Sequence, residues 1–236
     1  MKSLKKIITD MLIEFDEVNK SFNNNVMALE GVTFAIDKGE FVFLVGPSGA
    51  GKTTVLRLIT RGLLPTTGRI KVGDMDVVEL PVKQIPLLRR QVGMIFQDFK
   101  VLMDRTIFEN VAIALEILGK SKEEIRRKVK EVLHVVNLSD KAEFFPIQLS
   151  AGELQRSSIA RAIVGGPPVL LADEPTGNLD PTSSWEVLKI LREINKLGTT
   201  VIMATHNVDI VNSMRKRVIA LKKGKIVKDE KQGKYD

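Results

Sequence analysis

Gly46-Pro47-Ser48-Gly49-Ala50-Gly51-Lys52-Thr53 follows the spacing G-x-x-x-x-G-K-[ST], and its reading decides the fold of this chain. The run before it, Phe41-Val42-Phe43-Leu44-Val45, is continuously apolar and reads as a buried strand. The run after it, Thr54-Val55-Leu56-Arg57-Leu58-Ile59, reads as a helix. A glycine-rich turn by itself says little. Between a strand and a helix, its main-chain N–H groups can close around phosphate oxygens, and the helix N-terminus adds partial positive charge. Residues Gly46 to Thr54 are therefore the expected phosphate cradle, with Lys52 reaching the β- and γ-phosphates and Thr53 setting its hydroxyl on Mg²⁺.

A second feature lies downstream. Pro168-Val169-Leu170-Leu171-Ala172-Asp173-Glu174 is an apolar strand that ends in two carboxylates. The first is placed to hold Mg²⁺ and the second to orient and polarise an attacking water, so Asp173 is assigned to the metal and Glu174 to the base. An acidic strand end is common; following a phosphate loop in chain order it gains meaning. Leu149-Ser150-Ala151-Gly152-Glu153 precedes another helix, where Ser150 and Glu153 fit a capping box. The same serine hydroxyl, glycine N–H and helix N-terminus also suit an anion.

The remaining chain is ordered around these motifs. Leu12–Val18 alternates apolar and polar residues as a half-buried strand does, and 29–36, 69–72 and 92–96 read as further strands. From Thr106 to about Leu149 the period is helical, with a capping box expected at Ser121 and Glu124 and an apolar stripe of Ile125, Val129, Val132, Leu133 and Val136. Strand–helix alternation resumes at Pro168–Ala172, Trp185–Leu197, Thr200–Ala204 and Val218–Lys222. The layout is a sheet interrupted by a helical insert.

The chain has 236 residues, enough for one large α/β domain, and no cysteine, which excludes disulfides and thiolate metal sites. No apolar run approaches the ~18 residues of a membrane span. Met1 to Asp10 reads as an extension rather than a signal peptide. The net charge of +7 gathers in 120–130 and 215–234, where acidic and apolar residues are interspersed. Aromatic residues are 5% of the chain and do not alternate with the basic runs, so direct nucleic-acid binding is not expected.

In this order and spacing the motifs resemble those of the ABC ATPases from about Met11 to about Val227. The resemblance implies an α/β P-loop NTPase with a RecA-like core, an antiparallel β-subdomain and a helical insert at about 98–160. An N-terminal extension (1–10) and a C-terminal tail (228–236) would flank the ATPase domain. It implies that Ser150, Gly152 and Glu153 belong to the family's signature, and that Gln97 is the Q-loop glutamine, which senses Mg²⁺ and the γ-phosphate. It implies too that Asn178-Leu179-Asp180 is the D-loop, His206 the switch histidine at the γ-phosphate, and Phe22 the aromatic that stacks on adenine. The cofactors implied are ATP and Mg²⁺. Two copies would pack head to tail, each ATP held between the phosphate loop of one and the signature of the other, in an ATP-dependent homodimer.

Within the family, Phe96-Gln97-Asp98-Phe99-Lys100-Val101-Leu102 followed by Arg105-Thr106-Ile107-Phe108-Glu109-Asn110-Val111-Ala112 is similar to the FtsE-type ATPases of cell division. Those work with an FtsX-like integral membrane protein, which implies a cytoplasmic chain held peripherally on the inner face of the membrane through that partner. Phe99, Leu102 and Phe108 are candidate contacts to it. The alternative is the ATPase of a lipoprotein-release or macrolide-export transporter. The chain departs from the family at Ala151, where a glycine is usual. A Cβ there would crowd a bound phosphate, or strain the backbone if φ were positive.

Overall fold

The computed structural model describes residues 11–22 and 26–235. The expected extension at 1–10 lies outside the described residues, as does Asp236. The chain opens with a long antiparallel pair, β1 (Met11–Phe22) and β2 (Val26–Asp37), in which Phe15 stacks on Phe34 with ring centroids 4.6 Å apart. Strand β3 (Phe41–Val45) then enters a different sheet, and all five of its residues are buried. Such a continuous apolar run is what a strand covered on both faces requires. Helix α1 (Lys52–Ile59) follows, and β4 (Thr67–Val72) and β5 (Met75–Asp76) return to the first sheet, whose order is β2-β1-β4-β5.

Helix α2 (Ile85–Arg90) leads to β6 (Val92–Ile95), at the edge of the second sheet. The insert then contributes α3 (Ile107–Ile117), α4 (Lys122–Val135) and α5 (Ala151–Ile163). Thr106 and Glu109 close a reciprocal capping box on α3, with Thr106 N donating to the Glu109 carboxylate at 2.8 Å and Glu109 N donating back to the Thr106 hydroxyl at 3.2 Å. The box expected on α4 forms only by half. Glu124 N donates to the Ser121 hydroxyl at 3.2 Å, but the Glu124 carboxylate turns to Lys120 at 3.2 Å and Lys128 at 3.4 Å. Two lysines one turn either side outcompete a single main-chain N–H for that charge. Of the expected α4 stripe, Ile125, Val129, Leu133 and Val136 are buried, and Val132 packs partly buried against them.

Strand β7 (Val169–Asp173), α6 (Pro181–Lys196), β8 (Thr200–Thr205), α7 (Val208–Met214) and β9 (Arg217–Lys222) complete the alternation. The second sheet runs β10-β9-β3-β8-β7-β6, parallel except for β10 (Lys225–Glu230). That last strand passes through the boundary expected at residue 227. One apolar cluster joins this sheet to α3–α7, and another fills the space between it, α1 and the first sheet. Arg217 fastens the two sheets outside that core. Its guanidinium donates to the Ala35 carbonyl on β2 at 2.8 Å, to Glu40 at 3.0 Å and to both oxygens of Asp229 on β10 at 2.8 Å.

Candidate active site

The phosphate loop lies where β3 meets α1, at the carboxyl ends of the parallel strands, and its shape depends on glycine. Gly46 has φ 147°, and a Cβ there would run into the Leu221 carbonyl of β9. Lys52 is the first residue of α1 and only 8% exposed. Its ammonium donates to the Gly46 carbonyl at 2.7 Å and the Pro47 carbonyl at 3.3 Å, and stands 3.6 Å from Glu174 Oε1. A nearly buried ammonium needs these acceptors, and phosphate oxygens entering the loop would be stronger ones.

The carboxyl end of β7 faces this loop. Thr53 Oγ1 donates to Asp173 Oδ1 at 3.1 Å. Burial pushes the Asp173 carboxyl above its ordinary range and the Glu174 charge adds to that, against the Thr53 hydrogen bond and the Lys52 charge. A divalent cation would reverse the balance. The hydroxyl and carboxylate oxygens, with Gln97 beside the same cleft, are the hard, sparse donor set that Mg²⁺ accepts while retaining waters. The residues present therefore fit the metal.

Glu174 sits in the left-handed region at φ 47°, a conformation that disfavours most side chains. It is held there on both sides. Its N–H donates to the Ala204 carbonyl of β8 at 2.9 Å, and its Oε1 lies 2.9 Å from His206 Nδ1. Gln97 and Asn178 form a reciprocal amide pair, with Gln97 Nε2 donating to Asn178 Oδ1 at 3.1 Å and Asn178 Nδ2 to the Gln97 carbonyl at 3.0 Å. Lys52, Thr53, Gln97, Glu174 and His206 line one cleft of about 760 Å³. Phe22, at the end of β1, lines it too, 41% exposed and with Lys20 Nζ 5.2 Å from its ring centroid.

Ser150, Gly152, Glu153 and Asp180 do not join that cleft. Ser150 and Glu153 make a complete capping box on α5: Ser150 N donates to the Glu153 carboxylate at 2.8 Å and Glu153 N to the Ser150 hydroxyl at 3.3 Å. The Ser150 main-chain hydrogen bond holds the Glu153 carboxyl below its ordinary range. Asp180 caps α6 through Ser183 N at 3.0 Å, and the Ser183 hydrogen bonds lower its pKa likewise. Ala151 begins α5 without positive φ, so the backbone strain considered for it does not arise. Gly152 is the intolerant position: a Cβ there would come 2.6 Å from Ser183 Oγ.

Several residues were not found from sequence. Gln155 is fully buried on α5 and donates to the Pro175 carbonyl at 2.8 Å and the Phe96 carbonyl at 3.3 Å, tying the signature helix to both strand ends of the cleft. Arg161, on the same helix, donates to the Phe99 carbonyl at 3.2 Å. Phe99 and Lys100 both have positive φ, and Asn110 brackets Leu102 with bonds to its N–H at 2.7 Å and its carbonyl at 2.9 Å. Of the three candidate partner contacts, Leu102 is exposed while Phe108 packs against the insert core. Tyr235 lines the cleft as well, without any motif to announce it.

The profile of the ABC transporter family matches residues 29–177. The chain is 55% identical over 224 residues to the cell division ATP-binding protein FtsE of Bacillus subtilis strain 168, covering 95% of this chain and 98% of that one. It is 50% identical over 226 residues to the protein of the same name from Mycobacterium tuberculosis H37Rv, covering 95% and 98%. For the Escherichia coli K12 protein of that name the figures are 49% over 213 residues, 90% and 96%. Among solved structures, the ATP-binding cassette MJ0796, a dimer in a post-hydrolysis state bound to ADP and Pi, superposes with a TM-score of 0.85 at 32% identity, covering 95% of this chain and all of that one. Clostridium perfringens cbiO1, part of the ABC transporter complex cbiONQ, superposes with a TM-score of 0.88 at 30% identity, covering 94% and 89%.

Proposed function

The chain belongs to the ABC transporter family of ATPases, in its FtsE-type branch, and on that premise we propose that it hydrolyses ATP as an Mg²⁺-dependent homodimer that drives or gates an FtsX-like membrane protein in cell division. The observation that carries this reading is the convergence of Lys52, Glu174, His206 and Gln97 on one cleft, with Glu174 Oε1 2.9 Å from His206 Nδ1 and 3.6 Å from Lys52 Nζ.

The chemistry follows from those positions. The loop N–H groups and Lys52 neutralise the β- and γ-phosphates, and Phe22 stacks on adenine. Thr53 and Asp173, with Gln97, would hold Mg²⁺, which would screen phosphate charge. Glu174 accepts a proton from the attacking water as its oxygen bonds to the γ-phosphorus, and the bond to the β–γ bridging oxygen breaks to leave ADP and phosphate. His206 orients Glu174 and meets the γ-phosphate.

The signature does no work inside its own chain, where Ser150 to Glu153 stand apart from the cleft. Set against a second copy's ATP, the Ser150 hydroxyl and the first N–H groups of α5 would complete the anion's coordination. Hydrolysis then removes the bridge and the pair opens, a stroke passed to the membrane partner through the segment around Phe99 and Leu102. The MJ0796 cassette, a dimer bound to ADP and Pi, supports pairing of two copies. No helix among the described residues is long and apolar enough to cross a membrane, so membrane attachment through a partner is part of the proposal.

Glu174→Gln tests it. The variant should bind ATP, lose phosphate release by about a hundredfold or more, and elute as a dimer with ATP and Mg²⁺. A variant that binds ATP but stays monomeric at every concentration would refute the paired arrangement.

A further inference from the structure

We propose that Tyr235, in the segment after the last strand, is a nucleotide-contacting residue that completes the wall of the ATP cleft; the inference rests on the cleft being the nucleotide site. The path of the chain makes this placement unexpected. In the parallel ladder Arg217 pairs with Val42 and Ala220 with Val45, so β9 begins at the end of the sheet remote from the phosphate loop. β10 runs back antiparallel, with Glu230 opposite Val218, and therefore finishes at that remote end. A chain that simply continued would leave the molecule there.

It turns back instead. Gly233 N donates to the Lys216 carbonyl at 3.2 Å, and a Cβ on Gly233 would come 2.7 Å from the Val218 side chain, so the turn is pressed against the sheet. The Lys228 ammonium donates to the Lys234 carbonyl at 2.9 Å. Asn212 on α7 then grips Tyr235 from both sides, its Oδ1 accepting from Tyr235 N at 2.9 Å and its Nδ2 donating to the Tyr235 carbonyl at 3.0 Å. Asn212 uses donor and acceptor together, as a paired strand would, which fixes the main chain at this one point. Tyr235, partly buried against the core cluster, lines the same cleft as Lys52, Glu174 and His206.

The helix that holds Tyr235 begins two residues after His206, with Asn207 as its cap through Ile210 N at 3.1 Å. The helix that anchors Tyr235 thus starts just after His206. An aromatic ring with a hydroxyl at its tip offers a nucleotide both an apolar face and a hydrogen-bond donor.

The chain contains one tyrosine, so ring-labelled ¹³C-tyrosine gives a single assignable signal in the unaltered protein. Titration with ADP and with a non-hydrolysable ATP analogue, each with Mg²⁺, should shift that signal in step with nucleotide binding measured by calorimetry. Tyr235→Ala should raise the nucleotide dissociation constant by about three- to tenfold, and Tyr235→Phe by less. A ring signal unmoved at nucleotide saturation would overturn the inference while leaving the ATP cleft standing. So would a Tyr235→Ala protein that stays folded and binds nucleotide within about twofold of the parent. A parent protein that binds no nucleotide would overturn both.

Discussion

The phosphate cleft and the signature helix are built from the same kind of part, a helix N-terminus with polar side chains beside it, yet they differ in what surrounds them. In the cleft, side chains from β1, α1, β6, β7 and β8 and the residues just beyond them converge, and Lys52 and Glu174 are nearly buried and hold one another. At the start of α5, Ser150 and Glu153 satisfy each other within three residues, and Ser183 of α6 packs across Gly152. Their electrostatics diverge accordingly. Burial raises the Asp173 carboxyl in the cleft, whereas main-chain hydrogen bonding lowers Glu153 at the signature. In the proposed function one region is most of a reaction centre, and the other is a surface that would receive its anion from a second copy.

The sharpest way to break this division is Lys52→Ala. It should reduce phosphate release by about a hundredfold or more, since it removes the nearly buried ammonium of the phosphate loop, 3.6 Å from Glu174. A purified variant with undiminished phosphate release would mean that the chemistry lies elsewhere. Next comes Gly152→Val. Its side chain would collide with Ser183, reshaping the signature surface while leaving the distant cleft untouched. The variant should bind ATP like its parent and lose ATP-driven pairing by about tenfold or more. Light scattering that shows normal pairing would erase the distinction between the regions.

Gln155→Leu probes the link between them. It removes two hydrogen bonds and leaves the Phe96 and Pro175 carbonyls short of a donor, so unfolding free energy should fall by about 1–3 kcal/mol in a denaturant titration. The smallest effect concerns pH. The folded Glu153 carboxyl lies below its unfolded value near 4.5, so its contribution is whole above that pH and is lost as pH falls through the folded value. Glu153→Gln should therefore lower the melting temperature slightly at pH 7, and the gap to the parent should narrow as the pH falls below about 4.5. A gap that widens in acid would contradict the capping geometry.

Sequence reading went furthest where chemistry is local. The phosphate loop, the acidic end of β7 and the cap at Ser150 are written in consecutive residues, and each took the element expected of it. It failed where partners are distant or patterns weak. Lys225-Ile226-Val227-Lys228-Asp229-Glu230 is a polar edge strand whose periodicity is too faint to mark it, so the boundary expected at 227 fell inside it. The second half of the Ser121 box was lost to Lys120 and Lys128, competition that the spacing of Ser121 and Glu124 does not reveal. Gln155 and Arg161 look like ordinary helix residues until the fold brings strand ends to them. Tyr235 is legible only once the turn at Gly233 and the grip of Asn212 are seen.

Arg217 gives the cleft a property none of its lining residues could supply. Phe22 stands on the antiparallel sheet and the phosphate loop grows from the parallel one, so the gap between them is set by how the two sheets are jointed. A guanidinium bound to β2, to Glu40 and to β10 locks that joint from outside the pocket. It works like the rivet of a caliper: the span from Phe22 to the phosphate loop is gauged by a residue that lines neither end.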